Sequence, residues 1–495
     1  MNRQITRLAV VGVTLVIALV VATTYWQTWA APGLADRQDN AIQRVAEFTI
    51  QRGRIVAADG TVLAANRIKR VGGRTLFFRR YPERRLFAHV VGYSTQVRSR
   101  AGLERSLNDY LTAANANLTT VLERTLDRIK GTTVQGNDVV LTLSTEGQRT
   151  ALEQLGNRCG AVAALDPQTG RVLVLASSPS YDPNLIEGHF DQASRAPAAE
   201  CSQPAAPLLD RATDGLYTPG STFKVVTASA GLDTGAVRLS TTFQDPGYCE
   251  EYGKRVYNYS DQGTPSGYGT VTLLQAIQNS INSVFCNLGK EIGAGKILEY
   301  SKRYGFYSKP PLELPEDERK ASGLYRAGQP WFPDDPNQVD PGRLAFGQER
   351  LQVTPLQMAM VAGAIGHGGV VMKPFLVDHV VSPTGRVIVT TRPQELGRAV
   401  SRDTAAAVTQ GMVAAVQGGT STSAQISGVE VAGKTGTAES GVAHVNTTAF
   451  IAFAPVGSPR VAIAVFLEQQ SGVGGTTAAP IAKAVMEVLL GEAPK

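Results

Sequence analysis

Ser221-Thr222-Phe223-Lys224, Ser280-Ile281-Asn282 and Lys434-Thr435-Gly436-Thr437 are three short strings that occur in this order in a chain of 495 residues. Each string alone is weak evidence, because serine, lysine and asparagine combinations are common at helix caps and turns. Together they supply hydroxyls, two amines and an amide, which are groups that can activate a serine without a histidine. We therefore predict that the fold brings the three strings into one cleft.

The first string contains the candidate nucleophile, Ser221. Pro219-Gly220 interrupts the chain just before it and an apolar run follows, which predicts a helix that begins near Ser221. Ser221 and Lys224 then lie at i and i+3 on one helix face. Burial beside a second cation, for which Lys434 is the candidate, would leave Lys224 unprotonated and able to accept the Ser221 proton. The alternative for this string alone is a capping serine and a surface lysine.

The second string lies between two apolar segments, Leu273 to Ile277 and Val284 to Leu288. A turn at this point can aim the side chains of Ser280 and Asn282 into a cleft. The Ser280 hydroxyl would relay a proton between Lys224 and a leaving amine, and the Asn282 amide would hold a peptide group of the substrate.

The third string follows an alternating apolar run and predicts a β-strand. A strand beside the nucleophile can pair with an extended peptide, and Gly436 permits close approach. Lys434, Thr435 and Thr437 would then provide charge and hydroxyls for a terminal carboxylate.

Sequence far outside the three strings resembles the class B penicillin-binding proteins, and among them the actinobacterial penicillin-binding protein A group. The three strings match the S-x-x-K, S-x-N and K-T-G elements of enzymes that acylate a serine with the D-alanyl-D-alanine end of cell-wall peptides, or with a β-lactam. The resemblance implies that the backbone N–H groups of Ser221 and Thr437 form the oxyanion hole. It is carried by further strings at 52–55, 59–64, 102–104, 136–142, 178–184, 217–220, 347–348, 354–359 and 479–481.

The order of strands and helices predicts an α+β fold. Strand-turn-strand patterns occur at 161–175 and 449–468, and an apolar-periodic helix at 478–490 closes the chain. Strands at both ends of this region imply an antiparallel sheet built from distant segments and flanked by helices. The resemblance implies the serine β-lactamase/transpeptidase-like fold. Prolines between 310 and 341 predict an irregular surface loop.

We expect three parts along the chain. Residues 1–30 form a cytoplasmic tail and membrane anchor, residues 36–158 a mixed α/β pedestal, and residues 159–495 the penicillin-binding transpeptidase domain. In the pedestal Asp59-Gly60 separates two apolar runs and predicts a hairpin turn. The resemblance implies that the pedestal serves dimerisation or partner binding and carries no catalytic group.

Leu8 to Tyr25 are eighteen residues without a charge, with Arg3 and Arg7 before them. This length reaches the range of about 17–25 residues for a membrane-spanning helix, and the positive flank stays inside. We therefore expect a single-pass protein of the cell membrane with its catalytic domain outside the cytoplasm. The alternative is a cleaved signal peptide with a weak cleavage site at Gly33-Leu34-Ala35.

The chain has four cysteines, at 159, 201, 249 and 286. In an exported protein an even number without C-x-x-C spacing favours disulfides over zinc. Three connectivities are open, and we favour Cys249 with Cys286, because a bridge there would brace the Ser280 string. The alternative is four buried thiols. We expect no metal and no cofactor.

The formal net charge is +6, with much of the basic excess between Arg44 and Arg105. Arg79, Arg80, Arg84 and Arg85 lie among apolar residues there, so we expect a solvated basic face and no nucleic-acid site. Attraction to anionic wall polymers or lipid headgroups is a further use of such a face.

Two strings match motifs of other protein families by accident, and two residues depart from the pattern of the penicillin-binding proteins. Gly428 to Thr435 fits the phosphate-loop pattern, but its middle predicts a strand and no helix follows it. Glu104 lies in a string that mimics the deacylating glutamate of class A β-lactamases, but it precedes the nucleophile, so we expect a structural role. Asp210 and Ala449 replace the asparagine and tryptophan common in relatives, which leaves detail of the substrate pocket open.

The sequence predicts a D,D-transpeptidase that cross-links peptidoglycan stem peptides through a serine acyl-enzyme and is inhibited by β-lactams. The resemblance also implies a lipid II glycosyltransferase partner of the shape, elongation, division and sporulation family. A D,D-carboxypeptidase and a β-lactamase or β-lactam sensor use the same three strings, and a non-enzymatic cell-wall scaffold is the alternative of another class.

Overall fold

The computed structural model describes residues 2–26, 48–114, 133–195, 201, 205–258, 266–439 and 445–492. The strands are β1 (Ile55–Val56), β2 (Val62–Val71), β3 (Arg74–Arg80), β4 (Tyr93–Ser94), β5 (Arg100–Ala101), β6 (Asp138–Leu141), β7 (Gly160–Leu165), β8 (Val172–Ser178), β9 (Thr242–Asp245), β10 (Tyr248–Glu251), β11 (Lys254–Tyr257), β12 (Gly269–Thr272), β13 (Gly323–Arg326), β14 (Gln329–Pro330), β15 (Leu351–Gln352), β16 (Val370–Met372), β17 (Val377–Val381), β18 (Val387–Thr390), β19 (Glu395–Arg398), β20 (Ala432–Glu439), β21 (Asn446–Ala454) and β22 (Val461–Gln470). The α-helices are α1 (Asn2–Tyr25), α2 (Ala88–Val91), α3 (Gly102–Ser106), α4 (Asn108–Leu111), α5 (Thr145–Leu155), α6 (Phe190–Ala193), α7 (Lys224–Asp233), α8 (Leu273–Gln278), α9 (Asn282–Arg303), α10 (Pro341–Ala345), α11 (Pro355–Gly366), α12 (Arg402–Gly418) and α13 (Gly474–Gly491).

An antiparallel sheet of five strands, in the order β20-β21-β22-β7-β8, forms the centre of the C-terminal part. Alternate residues of β22 enter different cores: Ala462, Ala464 and Phe466 face one, and Ile463 and Val465 face the other. Because side chains of a strand alternate between faces, this pattern means that both faces of the sheet are buried.

Helices cover both faces of this sheet. The buried helix α11 packs on β7 and β22, and α5 and α13 lie on the opposite face. Helix α11 begins at a defined point, because the Thr354 hydroxyl accepts a hydrogen bond from Gln357 N at 3.2 Å and Pro355 occupies the first turn. The predicted α+β fold, an antiparallel sheet flanked by helices, is confirmed.

A second sheet forms the N-terminal part, in the order β18-β17-β6-β1-β2-β3. Strands β1 and β6 are parallel and the other pairs antiparallel, so this is the mixed sheet expected of a pedestal. Its hairpin turn lies at Asp59-Gly60, where Gly60 N donates to Ala57 O at 3.0 Å. Two strands, β17 and β18, come from residues far beyond the predicted boundary at 158.

The predicted boundary is also crossed in the other direction. Helix α5 falls inside the predicted pedestal, but Ala151 and Leu155 are buried in the core between the five-stranded sheet and α13. Ser144 caps this helix by accepting a hydrogen bond from Gly147 N at 2.9 Å. Sequence composition alone does not reveal such exchanges, because they depend on which apolar surface each element covers.

The segment between Pro310 and Pro341 was predicted to be a surface loop, and this is wrong in part. Strand β13 lies within it and pairs with both β14 and β15. Leu312, Leu314 and Leu324 are buried. Prolines interrupt regular structure but do not prevent an irregular segment from contributing apolar side chains to a core.

The basic face predicted for the pedestal is not solvated throughout. The side chains of Arg52 and Arg79 are 4% and 1% exposed, and both form ion pairs with the fully buried Glu104. Burial alone would raise the pKa of Glu104, but the two positive charges outweigh it and the pKa is lowered. Glu104 therefore has the structural role that its position in the sequence predicts.

Residues Thr6–Tyr25 of α1 form a helix long and apolar enough to cross a membrane, and none of it is buried. This agrees with a single-pass anchor. The alternative cleavage site at Gly33-Leu34-Ala35 lies outside the described residues.

Removing the shared carboxylate should destabilise the pedestal. In Glu104→Ala two guanidinium groups stay buried without an anion, which typically costs about 3–5 kcal/mol. Urea unfolding followed by hydrogen exchange in pedestal peptides would measure the loss. The matched control is Glu299→Ala, which breaks exposed pairs with Lys296 and Arg303 and should change stability by less than about 1 kcal/mol. Equal effects of the two variants would contradict a structural role for Glu104.

Candidate active site

The nucleophile string begins with a short 3-10 helix, Gly220–Phe223, that continues directly into α7. Residues i and i+3 of a 3-10 helix are eclipsed, so this geometry stacks Ser221 and Lys224 on one line. The Thr222 hydroxyl donates to Pro219 O at 2.8 Å and fixes the turn. Ser221 is half-buried and lines the cleft, and Lys224 is 1% exposed.

The second string forms the turn between α8 and α9. Ser280 has a φ of 57°, the left-handed region, which is uncommon for a residue with a side chain. Hydrogen bonds from Ser280 N to Ile277 O (3.3 Å) and from Ile281 N to Ala276 O (3.0 Å) hold the turn. The turn presents both the carbonyl and the hydroxyl of Ser280 to the lysines. The left-handed backbone at Ser280 costs free energy, as is common for residues at functional sites.

Lys224 Nζ makes three contacts in this turn. It lies 2.7 Å from Ser280 O, 2.7 Å from Asn282 Oδ1 and 3.3 Å from Ser280 Oγ. Asn282 Nδ2 donates to Tyr257 O at 3.0 Å, which orients the amide so that its oxygen faces the lysine. In the described part of the chain no hydrogen bond joins Lys224 Nζ to Ser221 Oγ, and the closest partners of the amine are those of the second string.

Lys434 approaches the same hydroxyl from the strand β20. Its Nζ donates to Ser280 Oγ at 2.8 Å and to Thr435 O at 3.1 Å, and its side chain is fully buried. Two amines therefore share one hydroxyl, and the three strings meet in space.

Burial lowers the basicity of both lysines, and the charge of Lys434 adds to this effect at Lys224. Burial lowers the pKa of Lys224 well below its usual value, and the charge of Lys434 lowers it further. Burial lowers the pKa of Lys434 to about 7. An ammonium taken out of water is disfavoured, and a second cation close by adds to this effect. The arrangement favours a neutral amine beside Ser280 at physiological pH.

Strand β20 is an edge strand, paired with β21 on one side. The nucleophile turn packs against it so closely that Gly220 has a φ of 52° and a Cβ there would lie 2.7 Å from Thr437 O. A Cβ at Gly436 would lie 2.6 Å from Pro219 O and 2.8 Å from Thr222 Cγ2. Gly436 thus permits close approach of the nucleophile turn, whereas the sequence suggested close approach of a peptide.

The cleft has a volume of about 580 Å³ and contains side chains of all three strings. Ser221, Ser280, Asn282, Thr435 and Thr437 line it. The sequence did not indicate its other lining residues, because they come from segments without a catalytic motif. Among these are Arg255, Tyr257, Tyr268, Arg343, Phe346, Thr420, Glu439 and Gly474.

One wall of the cleft is the hairpin β10–β11, which carries Tyr257. A disulfide joins Cys249 of β10 to Cys286 of α9, and a second joins Cys159 to Cys201. The first bridge ties the hairpin to the helix that begins with Asn282. All four cysteines are thus paired in the structure.

A buried carboxylate supports the same wall. Asp245 accepts hydrogen bonds from Ser283 Oγ at 2.5 Å and from Asn258 Nδ2 at 2.9 Å. Burial acts to raise the pKa of Asp245, but the hydrogen bonds outweigh it and lower the pKa. Asp245 thus remains an anion that fixes the first turn of α9.

The two departures from the relatives lie away from the cleft surface. Asp210 is buried and accepts hydrogen bonds from Ser177 Oγ at 2.7 Å and Thr213 Oγ1 at 2.9 Å. Ala449 is 1% exposed in β21, opposite Gly436. Neither lines the described cleft. The phosphate-loop match ends in β20, so it has the strand conformation that argues against nucleotide binding.

Comparison with known proteins agrees with this geometry. The family described as the penicillin binding protein transpeptidase domain matches residues 160–487, and the penicillin binding protein A dimerisation domain matches residues 52–139. The chain belongs to the penicillin-binding proteins.

The similarity to PbpA relatives extends over the full length of both chains. Peptidoglycan D,D-transpeptidase PbpA of Mycolicibacterium smegmatis is 36% identical, with 99% of this chain and 100% of the relative covered. Peptidoglycan D,D-transpeptidase MrdA of Acinetobacter baumannii is 31% identical, with 84% of this chain and 66% of the relative covered. The ceftriaxone acyl-enzyme of penicillin-binding protein A from Mycobacterium tuberculosis superposes with a TM-score of 0.80 at 33% identity, covering 90% of this chain and 100% of that one.

Adding one methyl group at Gly436 should separate the nucleophile from the strand. The Cβ of Gly436→Ala would clash with backbone at Pro219, so the two elements must move apart. A displacement of about 1 Å at a reacting group can cost about 10²-fold in rate, and we expect this loss in the rate of acylation by a fluorescent penicillin. Gly188→Ala is the control, because nothing lies within 4 Å of its Cβ. Acylation at the parental rate in Gly436→Ala would show that this contact does not position Ser221.

Proposed function

We propose that this penicillin-binding protein is a peptidoglycan D,D-transpeptidase with Ser221 as its nucleophile and Lys224 as the base. The observation that carries the proposal is the pair of buried lysines in contact with Ser280, in a cleft that Ser221 lines. The full-length similarity to peptidoglycan D,D-transpeptidases supports the reaction, and the β-lactam acyl-enzyme structures support inhibition by β-lactams.

The hydrogen bonds of Lys224 indicate how it acts as a base. Ser280 O and Asn282 Oδ1 can only accept hydrogen bonds, so together they occupy the two N–H groups of a neutral amine. The lone pair of the nitrogen then points away from both acceptors and is available for a proton. As Ser221 Oγ attacks the carbonyl carbon of the penultimate D-alanine, its proton passes to this lone pair.

Ser280 completes the proton route. Its hydroxyl lies between the two amines, 3.3 Å from Lys224 Nζ and 2.8 Å from Lys434 Nζ. When the tetrahedral intermediate collapses, the proton on Lys224 passes through Ser280 to the nitrogen of the terminal D-alanine, which leaves. An amine of a second stem peptide then attacks the ester and loses its proton along the reverse route, which forms the cross-link.

The edge strand β20 supplies the binding site for the donor peptide. One side of this strand is unpaired, and its residues Thr435, Thr437 and Glu439 line the cleft, so an extended peptide can pair with its backbone there. Thr435 and Thr437, which line the cleft, bind the terminal carboxylate, and the buried Lys434 adds positive charge behind them. The N–H groups of Ser221 and Thr437 stabilise the oxyanion. Loss of one such donor typically lowers the rate by about 10²–10³-fold. The contact of Gly220 with Thr437 supports this pairing of donors.

The cleft offers little help for hydrolysis of the acyl-enzyme. Glu104, which lies in the string that mimics a deacylating glutamate, is buried between two arginines and cannot reach it. Among the described residues that line the cleft, Glu439 is the one carboxylate. A long-lived acyl-enzyme that waits for an amine follows from this arrangement, and it favours transpeptidation over β-lactamase activity.

The same proposal extends to the arrangement of the chain in the cell. Residues 1–30 are a cytoplasmic tail and anchor, 36–158 a pedestal and 159–495 the transpeptidase domain, outside the cytoplasm. The apolar helix Thr6–Tyr25 and the two family matches support this division. Relatives include MrdA and a stage V sporulation protein D, which supports a lipid II glycosyltransferase of the shape, division and sporulation family as partner.

A time course of penicillin labelling tests the catalytic assignment. The parent should bind fluorescent penicillin covalently and keep the label for many minutes, and it should release D-alanine and form cross-links from a stem-peptide donor and acceptor. Ser221→Ala should do neither, while the exposed control Ser240→Ala should behave as the parent. Rapid release of hydrolysed penicillin would instead identify a β-lactamase, and growth supported by Ser221→Ala would identify a scaffold.

The pH dependence of acylation tests the role of the lysine pair. Because the charge of Lys434 lowers the pKa of Lys224, Lys434→Gln should raise it and leave more Lys224 protonated at any given pH. The rising limb of acylation rate against pH should therefore move to higher pH, measured with fluorescent penicillin between about pH 5 and 9. Lys296→Gln, an exposed cation on α9, should leave the limb in place. A lower rate with an unshifted limb would show that Lys224 is not the titrating base.

A further inference from the structure

The pedestal carries a basic hairpin that the catalytic mechanism does not use. We call residues 66–80 of β2 and β3 the basic hairpin. It contains five exposed cations and no acidic residue, and the nearest acids along the chain are Asp59 and Glu83. The exposed cations are Arg67, Lys69, Arg70, Arg74 and Arg80. None of them forms an ion pair in the described part of the chain, whereas the buried Arg79 is paired with Glu104.

The pairing register places four of these five cations on one face of the hairpin, and Arg70, opposite Thr75, lies on the other face. Arg67 lies opposite Phe78, Lys69 opposite Leu76, and Val71 opposite Arg74. Residues directly opposite each other in an antiparallel pair point to the same side. One face of the hairpin therefore combines positive charge with partly exposed apolar side chains. Near the tip Val71, on this face, is 49% exposed, and Ile68, on the other face, is 62% exposed.

The chain enters the pedestal beside this face. Phe48 stacks on Phe78 with ring centroids 5.4 Å apart, and its carbonyl accepts a hydrogen bond from Phe77 N at 2.7 Å. Phe48 follows the end of the apolar helix segment at Tyr25 by 23 residues. A chain of this length spans at most about 80 Å when fully extended. The tether therefore keeps the hairpin within reach of the bilayer and raises its effective concentration at the membrane surface.

We propose that the basic hairpin binds anionic lipid headgroups and so holds the pedestal against the membrane surface. The inference rests on the anchoring proposed above. Cations without an ion-pair partner among the described residues gain from the negative potential of an anionic bilayer, and the exposed Val71 on the same face can enter the headgroup region. The hairpin is an edge of its sheet, with β3 as the outermost strand, so the docked surface does not have to displace another strand.

An environment-sensitive dye on Val71→Cys, an exposed position on the cationic face of the hairpin, tests the proposal in the full chain reconstituted into vesicles. Vesicles of phosphatidylcholine alone are compared with vesicles that also contain phosphatidylglycerol. We expect a less polar dye environment in the anionic vesicles, reversed by high salt because exposed charges are screened within about 10 Å at moderate ionic strength. Lys69→Glu with Arg74→Glu should reduce the docked fraction by about tenfold or more.

The control changes charge equally at the other edge of the same sheet. Arg386→Glu with Arg392→Glu alters the net charge by the same amount, at exposed positions next to β18, and should leave docking intact. Penicillin labelling should be normal in both double variants, which separates this test from failure of the proposed activity. Equal signals in neutral and anionic vesicles, or equal loss in the two double variants, would overturn the proposal. The proposal would also be overturned if soluble polyphosphate added to neutral vesicles changed the dye signal and anionic lipid did not. That result would indicate an anionic wall polymer as the ligand.

Discussion

The contact of two buried amines with one hydroxyl is the constraint on which the rest of the structure depends. Lys224 and Lys434 each lose hydration, and their charges repel, so the fold must provide partners that make this burial tolerable. Ser280 provides a carbonyl and a hydroxyl, and Asn282 provides an amide oxygen. The left-handed turn at Ser280 directs its carbonyl oxygen and its hydroxyl towards the lysines. Much of the surrounding architecture holds this turn: α8 and α9 fix its ends, and the disulfide from Cys286 secures the wall that orients Asn282.

The second requirement is that the nucleophile turn should lie against an edge strand. Gly220 and Gly436 remove the two side chains that would hold these elements apart, and Gly220 N donates to Gly347 O at 3.1 Å on the other side of the turn. The result places Ser221 between Lys224, its proposed proton acceptor, and a strand with an unpaired side. One backbone contact thus joins the chemistry of the lysines to the binding of an extended peptide. The two parts depend on each other, because an activated serine can react only when the substrate's carbonyl carbon is held in line for attack.

The sequence predicted those features that depend on local pattern. Apolar runs separated by turn residues, such as the one that forms β22, predicted strands, and the three strings predicted which side chains meet. What it could not predict depends on long-range packing. Arg79 resembles its solvated neighbours in the sequence, and only the fold reveals that it turns inward to Glu104. Strands β17 and β18 carry no signal that assigns them to the pedestal sheet. Lining residues such as Tyr257 and Arg343 belong to no motif, since backbone position alone brings them to the cleft.

The exchanged strands connect the anchor to the chemistry. Strand β17 pairs with β6 of the pedestal, so a segment that follows the nucleophile by more than a hundred residues is part of the pedestal sheet. Further contacts join the two parts: Arg105 pairs with Asp317 at 2.8 Å, and Gly102 N donates to Glu318 at 3.0 Å. A change in the tilt of the pedestal sheet must therefore either move the transpeptidase domain with it or break these contacts. Because the basic hairpin is the opposite edge of that sheet from β18, the surface on which it rests helps to determine where the cleft points. An enzyme whose substrates are strands of the wall gains from a cleft held at a defined orientation, and the shared sheet provides the means.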